Sequence, residues 1–379
     1  MKLLKFIFTI LLLTSPLAFC QQPLPQWRSM DGPYYVYDVT GISLGWDGTQ
    51  IRAYMVASDL DHTFLYSYFG DSPIAGWADI IPTQVDGAKH VSASRQNGLR
   101  AYATVPEQDG IDGHVLYTIN GGANWDETPS QPGNKAFTCI ETHPGNPEIC
   151  FTGAELIGGD VASVWRTTTG GDSWSEIRPQ GIDARNTVRA IHIDPNSGNT
   201  IEQTIIYVCY NNEGIWRGYN GGLGKWENIS VSNNEQAIDI AIEYNLSNNL
   251  YVIGIKENTY ELWHSFDNGN KWESVRDFGG NRIKGIAAAK LENIENIWAL
   301  AADTIFYSHK DLSGQNWLSL AARDGDTLQC LSIDCKNPNQ AYVGSKHNIE
   351  WISVDRQNII RRTIAEGTNY NGPIKEEWK

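Results

Sequence analysis

Tryptophan closes a short polar stretch again and again along this chain, and the interval barely changes. "SFDNGNKW" ends at Trp272, "TINGGANW" at Trp125 and "TTTGGDSW" at Trp174. "GYNGGLGKW" reaches Trp226 with one extra residue, "SHKDLSGQNW" reaches Trp317 with two, and a worn copy, "SYFGDSPIAGW", ends at Trp77. Successive closing tryptophans are 48, 49, 52, 46 and 45 residues apart. That interval matches one four-stranded blade of a β-propeller.

The sequence between the tryptophans supports the same division. "AIHIDPNSGNTIEQTIIYVCY", "CIETHPGNPEICFTGA" and "CLSIDCKNPNQAYVGS" each read as strand, turn, strand. A third strand follows, as in "GIWRGY", "SVWRTT" and "IEWISV". Apolar residues alternate within these runs, for example Ile238, Ile240 and Ile242, and no helical stripe of useful length competes. Seven units result, over 36–80, 86–128, 135–178, 186–230, 236–276, 282–320 and 327–363. The expected fold is all-β, a single seven-bladed propeller over 21–363 with a tail at 364–379. The segment around Trp27 is a candidate outer strand for the last blade, which would close the ring and remove its exposed edges.

The repeated stretch resembles the S/T-x-D-x-G-x-x-W hallmark of Asp-box (BNR) propellers. The copies carry it on Ser265, Asp267, Gly269 and Trp272, on Thr118, Asn120, Gly122 and Trp125, and on Thr167, Gly171 and Trp174, with Trp226 and Trp317 in degenerate copies. Its chemistry suits a turn. Ser265 and Asp267 accept hydrogen bonds from backbone N–H groups the turn leaves unpaired. Gly269 takes a positive φ, and Trp272 buries a large ring between sheets. The resemblance implies that these turns are structural, lie between third and fourth strands, and sit away from the family's usual ligand face. It also implies a choice among sialidases, xyloglucan-degrading enzymes, sortilin-type receptors and photosystem-assembly propellers, which a fold alone does not make.

The N-terminus reads as a secretory signal peptide over 1–20: Lys2 and Lys5, an apolar run over 6–13 broken by Thr9, then Ala18-Phe19-Cys20. Cleavage near Cys20 implies a secreted or periplasmic protein. A lipoprotein acylated at Cys20 is the less favoured alternative, because Phe19 is bulky. No other stretch is long and apolar enough to span a bilayer. Losing Lys2 and Lys5 takes the formal charge from −15 to −17, which disfavours nucleic acid as a partner. Cys139 and Cys150 flank "IETHPGNPEI" symmetrically. A hairpin tip at Pro144-Gly145 would set them face to face, within reach of a disulfide. The alternative is two buried thiols.

Catalytic signatures are sparse. There is no G-x-S-x-G elbow, P-loop or H-E-x-x-H, no Cys/His spacing for zinc, and nothing that calls for a cofactor or metal. "EIRP" at 176–179 is a poor match to the arginine-bearing element of sialidases. His143 and His192 fall near turns and read as structural. The loops expected to link second to third strands carry Asp59, Asp61, Glu107, Asp109, Asp112, Glu155 and Asp160, the ligand-face candidates. Two readings follow. One is a binding or assembly module that recognises a protein or glycan with one face of the disc. The other is a glycoside hydrolase, which would need two facing carboxyl groups among these loops, one kept protonated.

Overall fold

The computed structural model describes residues 38–58, 62–70, 83–107, 112–155, 163–182, 186–231, 236–243, 248–291, 294–309, 317–323, 326–334, 336–355 and 358–366. They form seven four-stranded antiparallel sheets, each a simple up-and-down meander. Blade I is β1 (Asp38–Trp46), β2 (Ile51–Ser58), β3 (Thr63–Gly70) and β4 (Thr83–Gln84). Blade II is β5 (His90–Ala93), β6 (Ala101–Val105), β7 (His114–Thr118) and β8 (Asp126–Glu127). Blade III is β9 (Phe137–Thr142), β10 (Cys150–Ala154), β11 (Val164–Thr167) and β12 (Ser175–Ile177). Blade IV is β13 (Val188–Ile193), β14 (Ile206–Tyr210), β15 (Gly214–Gly218) and β16 (Trp226–Asn228). Blade V is β17 (Gln236–Ile242), β18 (Leu250–Lys256), β19 (Thr259–Ser265) and β20 (Glu273–Asp277). Blade VI is β21 (Ile283–Leu291), β22 (Ile294–Ala301), β23 (Thr304–His309) and β24 (Trp317–Ala321). Blade VII is β25 (Leu328–Ile333), β26 (Gln340–Ser345), β27 (Asn348–Asp355) and β28 (Asn358–Glu366).

The first strands, β1, β5, β9, β13, β17, β21 and β25, pack side by side in that order, and β25 returns to β1. The ring is closed. Each blade is sandwiched between two others, so its second strand is buried on both faces. Every residue of β6, β10 and β14 is buried, which erases the alternation a half-exposed strand would show.

Six of the seven inner strands skip one residue in their ladder, at Thr40, Thr138, Arg189, Ile238, Lys284 and Gln329. A bulge of this kind re-aims the extra side chain. Here several of them reach the next blade. Thr40 Oγ1 donates to Lys89 O at 3.0 Å, Thr138 Oγ1 to Val188 O at 2.5 Å and Lys284 Nζ to Leu328 O at 2.7 Å. Ring closure uses the same device, with Gln329 donating to the Asp38 carboxylate and Cys330 Sγ to Val39 O. All four strands of blade VII come from Leu328–Glu366. The outer position expected for the Trp27 segment is therefore held by β28, and Trp27 itself lies outside the described residues.

The repeated turns join third to fourth strands and share one hydrogen-bond pattern. Ser265 Oγ donates to Asp267 Oδ1 and accepts the Gly269 N–H at 2.8 Å, while Asp267 Oδ1 accepts the Lys271 N–H at 2.8 Å. Thr118 and Asn120 repeat it: Thr118 Oγ1 accepts from Gly122 N and Asn120 Oδ1 from Asn124 N, both at 3.0 Å. In blade III, Thr167 Oγ1 accepts from Gly171 N and Thr169 Oγ1 from Ser173 N. The position needs an acceptor, not a charge, so Asn and Thr replace Asp without changing the turn. The closing tryptophan then leans on the preceding blade. Trp272 Nε1 donates to Ile229 O at 2.9 Å, and Trp174 Nε1 to Ser130 O at 3.0 Å. Trp125 meets Tyr54 of blade I edge-on at 5.8 Å. Trp125 is buried, whereas Trp174, Trp226, Trp272 and Trp317 are half-buried at the rim.

Cys139 and Cys150 do not face each other. Cys139 pairs with Gly153, and Cys150 pairs with Thr142, three residues further along. Both are free thiols on opposite faces of the blade, Cys139 toward blade IV and Cys150 toward blade II. The hairpin centre is Asn146, not Pro144-Gly145, because the His143 ring accepts the Gly145 and Asn146 N–H groups and Ile149 N bonds Asn146 O. Cys209 is buried and Cys330 half-buried, neither in a disulfide, and Cys335 lies outside the described residues.

Gly269 combines a φ of 82° with a close neighbour: a Cβ there would come within 2.9 Å of Ile229 Cβ. Gly279 has a φ of 59° with nothing within 4 Å. Gly279→Ala carries only the backbone cost, about 1–2 kcal/mol. Gly269→Ala adds the collision with blade IV, and we expect it to cost roughly 1–3 kcal/mol more in denaturant melts. Equal losses at the two sites would show that this turn does not press on its neighbour.

Candidate functional site

The loops from second to third strands and from one blade to the next share a face of the disc. Of the seven acids expected there, Asp59, Asp61, Asp109 and Asp160 lie outside the described residues. Glu107, Asp112 and Glu155 are exposed, and the structure gathers them around one inter-blade segment, 134–136. The Glu107 N–H donates to Lys135 O at 2.9 Å. The Asp112 carboxylate receives Lys135 Nζ at 2.8 and 2.9 Å. Glu155 O accepts from Asn134 Nδ2 at 3.0 Å, and its N–H donates to Ala136 O. Lys135 thus offsets part of the acidic charge. The other half of this face is mixed: Arg282 and Lys346 are exposed, as are Glu257 and Asp303 in the loops from second to third strands, and Arg323 reaches Glu350 at 2.8 Å. Among the described residues, no three His, Cys, Asp or Glu side chains stand close enough to hold a metal ion. Nor, among them, is any helix long and apolar enough to cross a membrane.

A second constellation lies in the central ring, where the inner strands of three consecutive blades each carry a polar residue in an apolar context. These are Glu141 in β9, His192 in β13 and Asp239 in β17. Asp239 is held by three donors: His192 Nε2 at 2.8 Å, the Ile240 N–H at 2.9 Å and, from blade VI, the Ile286 N–H at 2.9 Å. Burial by itself would lower the His192 pKa, but Asp239, joined by Glu141, outweighs it and holds the imidazolium above its usual value. Burial pushes the Glu141 carboxyl up, against the pull of His192 and of Arg95 from the loop after β5. Sequence reading missed Glu141, Asp239 and Arg95. The available signal was a charged residue inside the apolar first strand of successive units, in "CIETH", "AIHID" and "AIDIA"; Glu141 and His192 hold corresponding positions, and Asp239 stands two residues earlier.

Three other histidines are held neutral. The His143 ring accepts two backbone N–H groups at Nδ1, so Nε2 carries the proton it gives to Gly198 O at 3.2 Å. Burial lowers its pKa, and burial pushes His90 and His264 down to about 4. His264 also stacks flat on Tyr251 at 4.3 Å.

No family model matches the chain, and no curated protein sequence matches it. Solved structures do. The GH74 xyloglucanase from Xanthomonas campestris aligns over 90% of this chain and 56% of its own length, at 14% identity and a TM-score of 0.63. This chain therefore spans little more than half of that enzyme. YCF48 bound to D1 peptide aligns over 88% of this chain and 95% of its own, at 13% identity and a TM-score of 0.54. A chain of the COPII outer coat vertex on membranes aligns over 90% and 88%, at 10% identity and a TM-score of 0.61. The likenesses reach glycoside hydrolases and non-enzymatic assemblies alike. At these identities they establish the β-propeller fold.

The histidine shifts have opposite signs, so stability responds to pH on both sides. His90, His143 and His264 have lowered folded pKa values. The stability they support is present above the unfolded value of about 6.5 and is lost as pH falls toward 4. His192 has a raised one, so its contribution is full below about 6.5 and lost as pH rises through its folded pKa. We expect His192→Gln to cost roughly 1–3 kcal/mol near pH 6 and less near pH 9, read from urea melts. A cost that does not vary with pH would mean that His192 and Asp239 share no charge.

Proposed function

We propose that the chain is an exported Asp-box propeller that binds a protein or glycan through its loop face and acts as a binding or assembly module. The hydroxyl–amide pattern shared by the turns at 118–125, 167–174 and 265–272 supports the Asp-box reading. The basic, apolar and small-residue order of the first 20 positions supports export. The neighbours supply precedents of both kinds, a propeller bound to a peptide and an enzyme acting on xyloglucan.

One observation carries the choice between them. Glu107, Asp112 and Glu155 are exposed and gather round Lys135 and Asn134 instead of sharing a buried pocket. A glycosidase keeps one carboxyl protonated near neutral pH, and only burial or a close like charge does that. The hydrolase reading finds support in Glu141, which burial does hold up. That carboxyl lies in the inner ring beside His192, however, and the Asp239 carboxylate is engaged by three donors.

A lysine-rich peptide titrated onto the immobilised chain tests the module reading. We expect capture that weakens with salt, because exposed charges are screened. Replacing Glu107, Asp112 and Glu155 together by Lys should lower the affinity at least about tenfold. Release of reducing sugar from xyloglucan, abolished by Glu141→Gln, would establish the hydrolase instead.

A further inference from the structure

The turn of blade IV breaks the pattern of its neighbours. In blades III and V the closing tryptophan donates across to the preceding blade. "GYNGGLGKW" has one residue more, and Trp226 Nε1 bonds Gly222 O of its own turn at 2.9 Å. The indole lies flat on the adjoining strand of its own blade: a Cβ at Gly218 in β15 would stand 2.8–2.9 Å from three atoms of its six-membered ring. The extra residue thus retracts the side chain that elsewhere bridges two blades. A rim groove of about 630 Å³ remains between blades III and IV. Trp216, Leu223 and Trp226 form one wall, and Glu176, Arg178 and Gln180 form the other.

The chemistry of the walls selects a ligand class. Trp216 Nε1 is occupied by Glu213 O and Trp226 Nε1 by Gly222 O, so the indoles offer only their apolar faces. Leu223 adds apolar surface and is 68% exposed. On the facing wall Arg178 stands 3.9 Å from Glu176, and Lys225, which also lines the groove, is paired with Glu227 at 2.5 Å, so no single charge is left to dominate it. A flat ligand with an apolar face and uncharged polar edges fits these surfaces, within the usual size range of binding clefts.

We propose that this groove binds a neutral oligosaccharide. A pyranose ring stacks on Trp226 or Trp216, and its hydroxyls reach Glu176, Arg178 and Gln180. The site stands apart from the loop face and does not depend on the function assigned to it.

Isothermal titration of the full chain with cellohexaose, xylohexaose and mannohexaose tests the proposal, with tetragalacturonate as the charged comparison. At least one neutral hexaose should bind saturably at millimolar concentration or below. Trp226→Ala and Trp216→Ala should each weaken it by about tenfold or more. Deleting Gly224, which restores the shorter turn, should close the groove and abolish binding while the circular dichroism stays that of the parent. The triple lysine variant of Glu107, Asp112 and Glu155 should bind as the parent does, which separates this site from the loop face. No heat with any neutral hexaose, full affinity in both tryptophan variants, or preference for tetragalacturonate would overturn it.

Discussion

A hydroxyl that takes up a glycine N–H sets the geometry of this ring. Ser265, Thr118 and Thr167 each fold a turn tightly enough to aim a tryptophan at the blade before it. Trp272 and Trp174 find acceptors there, Ile229 O and Ser130 O, whereas Trp125 packs edge-on against Tyr54 and its buried N–H has no hydrogen-bond partner. The outer rim is thereby fastened blade to blade, and the bulged residues of the inner strands do the same near the axis. With both ends tied, the second strands are covered on both faces, and every residue of β6, β10 and β14 is buried.

Such a construction uses most polar side chains for structure, and what remains free is limited. The loop face carries exposed acids around Lys135 on one side and residues of both charges on the other. The inner ring holds Glu141, His192 and Asp239, with Asp239 tying blade V to the Ile286 amide of blade VI. Removing one partner of a buried, hydrogen-bonded charge pair costs more than the pair contributes, because the other is left unpaired. The inner cluster is therefore an organising feature of blades III to VI before it is anything else.

The propeller was legible because a single residue chemistry recurs at a fixed interval, and each copy has only one local structure that suits it. The unit read over 236–276 is the sheet from Gln236 to Asp277. Features that depend on contacts between units were not legible in the same way. The symmetric spacing of Cys139 and Cys150 suggested a facing pair, yet the His143 ring shifts the hairpin centre to Asn146 and sends the two thiols to opposite faces. The positions of the loop acids could be read, but their gathering about Lys135 could not. Glu141, His192 and Asp239 were visible as charges in apolar strands, and only the closed ring brings them together. The extra residue before Trp226 was visible too. Its consequence was not, because the tryptophan finds its acceptor within its own loop.

The central claim is that a turn of standard length fastens its blade to the one before, and that the longer turn of blade IV does not. Hydrogen exchange read by mass spectrometry on Trp272→Phe and Trp226→Phe tests it directly. Loss of the Trp272 N–H should speed exchange at 226–231, the edge of the preceding blade, since Ile229 O loses its donor. Loss of the Trp226 N–H should leave 175–180 unchanged, since its acceptor is Gly222 O. If Trp226→Phe loosens blade III as much as Trp272→Phe loosens blade IV, the account is contradicted.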